Sequence, residues 1–345
     1  MKITSIAYSA PSKSYSNEEF ADLFRDQLTG LSADEKSMYH GLILKMLNHT
    51  GAEHRYMRDI EKGETAYEHI LGAMKTTLEN SGLKPEEIDL VIYCGVGKGF
   101  IEPSNSYLYA REMKMFNAEC FDVVDACMSW TRTMQICQNF LKAGTYSNIM
   151  VVTGEFHLGL RDTNEIKNVQ SLEYNFPMYT IGETATATIV EASGQDWDFT
   201  FLSKPEFADL CTIPLEGYET FLPPSARIGL NGPGKFVSFG KDLLGAASPL
   251  LTELIRTSFK NFDDVKLFIP HAPSKTVYLE NLIGIGIKEE KIFTEVFERF
   301  GNLVSSSVPT GIARAIELGK IERGDAVSLI PASAGLSAAV VKLTF

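Results

Sequence analysis

Cys127 stands where a thiol can do chemistry. In FDVVDACMSWTRTMQICQNFL (121–141) the run Phe121, Val123, Val124 reads as the end of a buried strand, and Asp125-Ala126 as a short turn. Trp130, Met134, Cys137 and Leu141 then recur three or four residues apart, the apolar stripe of a core helix. A thiol on the first turn of such a helix meets unpaired backbone N–H groups and the positive end of the helix dipole, which favour thiolate and make a nucleophile. The competing account is that a cysteine is a small buried hydrophobe, and Cys94, Cys120, Cys137 and Cys211 are read that way.

The elements that would position Cys127 are found by comparing the chain with itself. LKPEEIDLVIYCGV and FDDVKLFIPHAP both place acidic residues before an apolar strand, and the shift that carries Leu90 onto Leu267 carries Cys94 onto His271. LKAGTYSNIMVVTGE (141–155) likewise matches ELGKIERGDAVSLIPAS (317–333): helix end, glycine, short loop, apolar strand. The nearly identical shift that lays Gly144 on Gly319 lays Cys127 on Asn302. Two copies of a strand, helix and strand unit follow from this, 1–192 and 193–345. Alternating strands and helices make the fold α/β, with reactive turns at strand carboxyl ends. A two-fold repeat converges equivalent strand ends, which would gather Cys127, His271 and Asn302 into one site. Taken singly, His271 after Pro270 also suits a hydrogen-bonded core histidine, and Asn302 after Gly301 a turn or cap residue.

Other segments frame this unit. Ile3–Tyr8 reads as a first strand, and 17–48 as a helical region carrying Phe20, Leu23, Phe24 and Leu28. A second amphipathic segment, 64–80, stops at Ser81-Gly82. His40, His49 and His54 lack metal-ligand spacing, and His69 and His157 receive no role. Five cysteines without a CxxC pair argue against a disulfide framework or thiolate zinc site and fit a reducing compartment. A net charge of −12 with no basic run disfavours nucleic-acid binding. The N-terminus does not read as a signal peptide, and no apolar run reaches membrane-spanning length, so a cytoplasmic protein handling small molecules is expected. There is no metal constellation and no GxxxxGK phosphate loop.

DACMSW around Cys127, IGETATATIV around Gly182, FIPHAPSKT around His271 and FGNLVSSSVPTGIARAIELGKIERGD around Asn302 resemble, in order and spacing, the signature regions of β-ketoacyl synthase III-type condensing enzymes of the thiolase fold. NHTGAEHRYMRD (48–59) resembles that family's N-terminal Thr-Gly-x-x-x-Arg signature. The resemblance spans nearly the whole chain. It implies a five-layered αβαβα subunit of two similar halves, a homodimer, and no cofactor beyond acyl-CoA or acyl-carrier-protein thioesters as substrates. It makes Cys127 the acylated nucleophile, His271 and Asn302 donors to the thioester oxygen of the second substrate, and the backbone N–H groups of Cys127 and Ala334 the oxyanion hole.

Four departures bear on the substrate. The glycine-rich C-terminal loop reads PASAGLSAA, with Ser333 and Ala334 where glycines are usual and Gly335 retained. Lys45 and His49 occupy the positions of a CoA-stacking tryptophan and an arginine, which favours a carrier-protein thioester. Ala272-Pro273-Ser274 replaces the family's Gln-Ala-Asn. Glu102 falls where initiators of fatty-acid synthesis carry an apolar gate residue and where enzymes of long-chain head-to-head condensation place a glutamate reaching across the dimer interface. It is a possible general base, or a solvent-exposed acid before Pro103. The expected activity is thioester condensation in secondary metabolism or specialised lipid synthesis. The alternatives are an ester- or amide-forming acyltransferase using the same Cys-His pair, and a silent subunit partnering an active homologue.

Overall fold

The computed structural model describes residues 1–345 apart from 24, 26, 27, 29, 157–165 and 272. Phe24, His157 and Ala272 therefore lie outside the described residues. The strands are β1 (Lys2–Ser9), β2 (Lys13–Ser16), β3 (His54–Met57), β4 (Leu90–Cys94), β5 (Glu119–Val123), β6 (Asn148–Glu155), β7 (Thr184–Glu191), β8 (Asp198–Ser203), β9 (Cys211–Thr212), β10 (Val237–Ser238), β11 (Leu267–His271), β12 (Ala326–Ser333) and β13 (Ser337–Thr344). The α-helices are α1 (Asn17–Leu23), α2 (Ala33–Thr50), α3 (Ala66–Ser81), α4 (Asn105–Glu112), α5 (Ser129–Ala143), α6 (Val169–Asn175), α7 (Gly240–Ser258), α8 (Lys275–Gly284), α9 (Glu295–Phe300) and α10 (Ser307–Glu317).

Two main sheets carry the design. The first runs β1-β7-β6-β4-β5, with β4 parallel to β5 and β6, and β7 antiparallel to β6 and β1. The second runs β11-β12-β13-β8, with β11 parallel to β12 and the other pairs antiparallel. The order β4, β6, β7, β1 is thus repeated as β11, β12, β13, β8. Where β5 flanks β4, the second sheet has only a bridge between Phe268 and Ile292, supported by the Phe293 N–H donating to the Phe268 carbonyl at 2.9 Å. Every residue of β4 and β11 is buried, as expected of apolar strands covered on both faces.

Helices complete five layers. One core lies between the sheets, where Trp130, Met134, Cys137 and Leu141 of α5 meet Val308, Ile312 and Ala315 of α10 and side chains of both sheets. A second core packs α3 and α4 on the outer face of the first sheet, and a third packs α7 and α8 on the outer face of the second. Local chemistry sets the boundaries. Thr65 and Glu68 form a capping box at the start of α3, and Gly82, at φ 73°, closes it in the left-handed conformation.

The region 17–48 is not one helical stretch. It holds α1 and α2, the second opened by a Ser32–Glu35 capping box. The short pair β2 and β3, Lys13–Ser16 against His54–Met57, flanks them. Four-residue strands with little apolar alternation leave no periodic mark in the sequence.

Candidate active site

The carboxyl ends of the parallel strands supply the site. β4 ends at Cys94, β5 at Val123, β6 at Glu155, β11 at His271 and β12 at Ser333. The chain leaving β5 turns through Ala126, held at φ 44°, and delivers Cys127 two residues ahead of α5.

Cys127 is half-buried, and burial is the main influence on its sulfur, pushing the thiol pKa well above its ordinary value. The neighbouring Cys211 and Glu155 push in the same direction. The Ser333 hydroxyl and the Cys127 N–H oppose them. Ser333 Oγ lies against the sulfur but makes no hydrogen bond of ordinary geometry, so it offsets little. This burial works against the thiolate expected from the helix terminus. The first N–H groups of the turn are taken, Met128 donating to the Asp125 carbonyl at 2.9 Å and Ser129 to that of Ala126 at 3.2 Å. Those donors are not free to stabilise a charge on the sulfur.

His271 is buried at the end of β11, and burial lowers its pKa to about 4, leaving the imidazole neutral near pH 7. Its Nδ1 has no protein hydrogen-bond partner among the described residues. The pairing of His271 with Pro331 puts it on the same face as Ser333, two residues further along β12. Cross-strand diagonal neighbours lie roughly 7–8 Å apart. Since Ser333 rests on the Cys127 sulfur, strand register alone brings the imidazole to the nucleophile's side of the second sheet.

Asn302 is pinned by its backbone. Its N–H donates to the Thr180 carbonyl at 2.8 Å, and its carbonyl accepts from Gly182 N–H at 3.1 Å. Gly182 is obligatory there, because an added Cβ would meet the Phe300 carbonyl at 2.1 Å. The side-chain Oδ1 accepts from Val304 N–H at 2.9 Å. That bond fixes the amide's orientation, so Nδ2 presents its two hydrogens away from the turn, with no protein acceptor among the described residues. Asn302 is an oriented donor.

Ala334 follows Ser333 in the short turn between β12 and β13 and is half-buried. Glu102 is exposed, beside exposed Phe100 and Ile101, and no hydrogen bond or ion pair joins it to Cys127 among the described residues. A buried carboxyl in this subunit that does act on the Cys127 sulfur is that of Glu155, its own pKa raised by desolvation to about 7. The sequence signal for it is an acid closing an otherwise apolar strand, IMVVTGE. Cys211, read as packing, also lies at the site. It is near enough to act on the Cys127 sulfur, and burial lifts its own thiol to about 11. Cys94 and Cys137 are packed in the core as read. No group of three or more His, Cys, Asp or Glu able to hold a metal occurs among the described residues.

Five layers with one strand order used twice are the thiolase fold, and the class of protein it frames here is a condensing enzyme that transfers acyl groups. Residues 121–204 match the family model of 3-oxoacyl-[acyl-carrier-protein (ACP)] synthase III, and residues 257–345 match the model of that family's C-terminal part. The chain belongs to the 3-oxoacyl-[acyl-carrier-protein] synthase III family. It is 25% identical over 297 residues to the β-ketoacyl-[acyl-carrier-protein] synthase III of Aliarcobacter butzleri, covering 84% of this chain and 85% of that one. The corresponding protein of Clostridium tetani is 26% identical over 295 residues, covering 81% and 84%. Among solved structures, 3-oxoacyl-[acyl-carrier-protein] synthase III from Aquifex aeolicus superposes with a TM-score of 0.78 at 21% identity over 100% of this chain and 99% of that one. Xanthomonas campestris OleA with bound lauric acid and lauroyl-CoA superposes with a TM-score of 0.80 at 18% identity, over 99% and 98%. Among the described residues no helix is long and apolar enough to cross a membrane.

Proposed function

We propose that this enzyme loads an acyl group from a thioester onto Cys127 and joins it to a second thioester, malonyl- or β-ketoacyl-derived, by Claisen condensation in specialised lipid or secondary-metabolite synthesis. The observation that carries this reading is the amide of Asn302, tied through Oδ1 to Val304 so that Nδ2 is left to donate. An enolate-forming step needs donors aimed at a developing oxyanion, and neutral donors in a dry site stabilise that charge strongly. His271, uncharged with a pKa of about 4, is the second such donor; so low a pKa makes it a poor proton store and a good N–H donor. As the Cys127 sulfur attacks the incoming thioester, the acyl carbon–sulfur bond to the donor breaks and the Cys127 proton leaves with the released donor thiol. The N–H groups of Cys127 and Ala334 are assigned to the tetrahedral intermediate. The chemistry uses the thioesters and no further cofactor.

The active form is proposed to be a cytoplasmic homodimer. β5 is an open edge of the first sheet, and Val124 just beyond it is exposed, as is Ile101 on the loop after β4. A second copy laid along this edge would cover them and carry Glu102 toward the nucleophile of its neighbour, as a general base. Lys45 and His49, exposed one turn apart on α2, favour a carrier-protein thioester over CoA. The donor class is read by incubating the protein with acyl-CoAs and acyl-carrier proteins and weighing the intact chain, since the adduct's mass names the acyl group. The reading fails if Cys127 takes no acyl group, which would favour a silent partner subunit. It also fails if Asn302→Ala leaves product formation intact, which would favour ester or amide formation.

A further inference from the structure

We propose that Glu155 is a positioning residue that holds the turn carrying Asn302 and the loop after β4 in one arrangement around Cys127; the proposal rests on the condensing reading above. The carboxylate at the end of β6 gathers three donors from two distant segments. Val96 N–H reaches Oε1 at 3.3 Å and Gly97 N–H reaches Oε2 at 2.8 Å, while the Ser305 hydroxyl donates to Oε1. A carboxylate offers acceptors only, so three donors on two oxygens match it and match no amide or hydroxyl of similar size.

The surrounding backbone is cut to this group. A Cβ on Gly95 would sit 2.5 Å from Glu155 Oε1 and 2.6 Å from Ser305 Oγ, and one on Gly97 would lie 2.9 Å from Oε2 and 2.2 Å from the Gly154 carbonyl. Both glycines therefore let the loop close on the carboxylate. On the other side, Ser305 lies in the short 3₁₀ turn Val304–Ser306. Val304 is a β-branched residue at φ 51°, a conformation that persists only where neighbours enforce it. Its N–H is the donor that orients the Asn302 amide. The Glu155–Ser305 bond, together with the contact of Ser306 Oγ with Thr153 Oγ1 at 2.6 Å, anchors this strained turn to β6. The same carboxylate fixes Val96 and Gly97, from which the chain runs on to Glu102. One buried side chain thus sets the aim of the donor amide and the root of the loop bearing the possible base.

The test separates the two half-reactions. Glu155→Gln sets an amide N–H₂ against donors, and Ser305→Ala removes one arm only. Condensation is expected to fall about 100-fold in Glu155→Gln and about tenfold in Ser305→Ala, while Cys127 acylation, followed by intact mass, stays within about threefold of wild type. Amide hydrogen exchange should rise in peptides covering 95–97 and 302–307 in Glu155→Gln, and in 302–307 alone in Ser305→Ala. Wild-type condensation in a folded Glu155→Gln protein overturns the proposal, and so does unchanged exchange at 302–307. If Glu155→Gln does not fold, Ser305→Ala decides by the same two readings. If the wild-type protein acylates but forms no carbon–carbon bond, the condensing reading falls, and hydrogen exchange at 302–307 still settles Glu155.

Discussion

The first sheet ends at the site with an acid and the second with a base, and burial drives both toward neutrality. Glu155, closing β6, is raised to about 7, while His271, closing β11, is lowered to about 4. They are not treated alike in hydrogen bonding. Glu155 is met by three donors, whereas His271 has an Nδ1 with no protein partner among the described residues. The first half holds its group as part of the frame, and the second leaves its group free to meet what enters.

This division of labour can be broken most decisively at the nucleophile. Cys127→Ala is expected to abolish the acyl adduct and lower turnover on the order of 10⁴-fold, read by intact mass and product formation. Asn302→Ala, on the other half, should leave the adduct within a few-fold of wild type while condensation falls roughly 100- to 1,000-fold. Equal loss in both steps would mean that the halves do not divide the work. The seam between them is tested by Gly182→Ala, whose new Cβ would strike the Phe300 carbonyl beside Asn302. Chemical denaturation should show a loss of about 3 kcal/mol, against almost none for Gly194→Ala, where nothing lies within 4 Å.

The smallest expected effect is on pH dependence, and it has opposite signs in the two halves. An ordinary histidine titrates at 6.5, so a His271 held near 4 contributes stability that is full above 6.5 and lost as pH falls toward 4. Glu155, held near 7 against an ordinary 4.5, contributes stability that is full below 4.5 and lost as pH rises through 7. Melting temperatures between pH 4.5 and 6.5 should therefore fall more steeply on acidification in Glu155→Gln than in wild type. His271→Gln should flatten or reverse the slope. Differences of about 2 °C across the window would suffice. Parallel slopes in both variants would contradict the comparison.

Much of this was legible in the residues themselves. The overlay of Leu90–Cys94 on Leu267–His271 coincides with β4 and β11 end to end, because a strand buried on both faces leaves an unbroken apolar run. The turn that presents Cys127 and the stop at Gly82 are local and were readable for that reason. The state of the sulfur was not. Its position near a helix terminus is written in six consecutive residues, but the groups that act on it, Cys211, Glu155 and Ser333, are remote in the chain. Glu155 escaped notice on the same ground, since its partners Val96, Gly97 and Ser305 gather only after both sheets have formed.

The shared middle layer has a consequence for synthesis. α5 rests its apolar face partly on α10, which begins at Ser307, more than a hundred and fifty residues later in the chain. At ordinary ribosomal speeds that face waits on the order of ten seconds or longer for its counterpart. The helix that covers the inner face of the earlier half is thus made last, so the middle layer closes only once most of the chain has emerged.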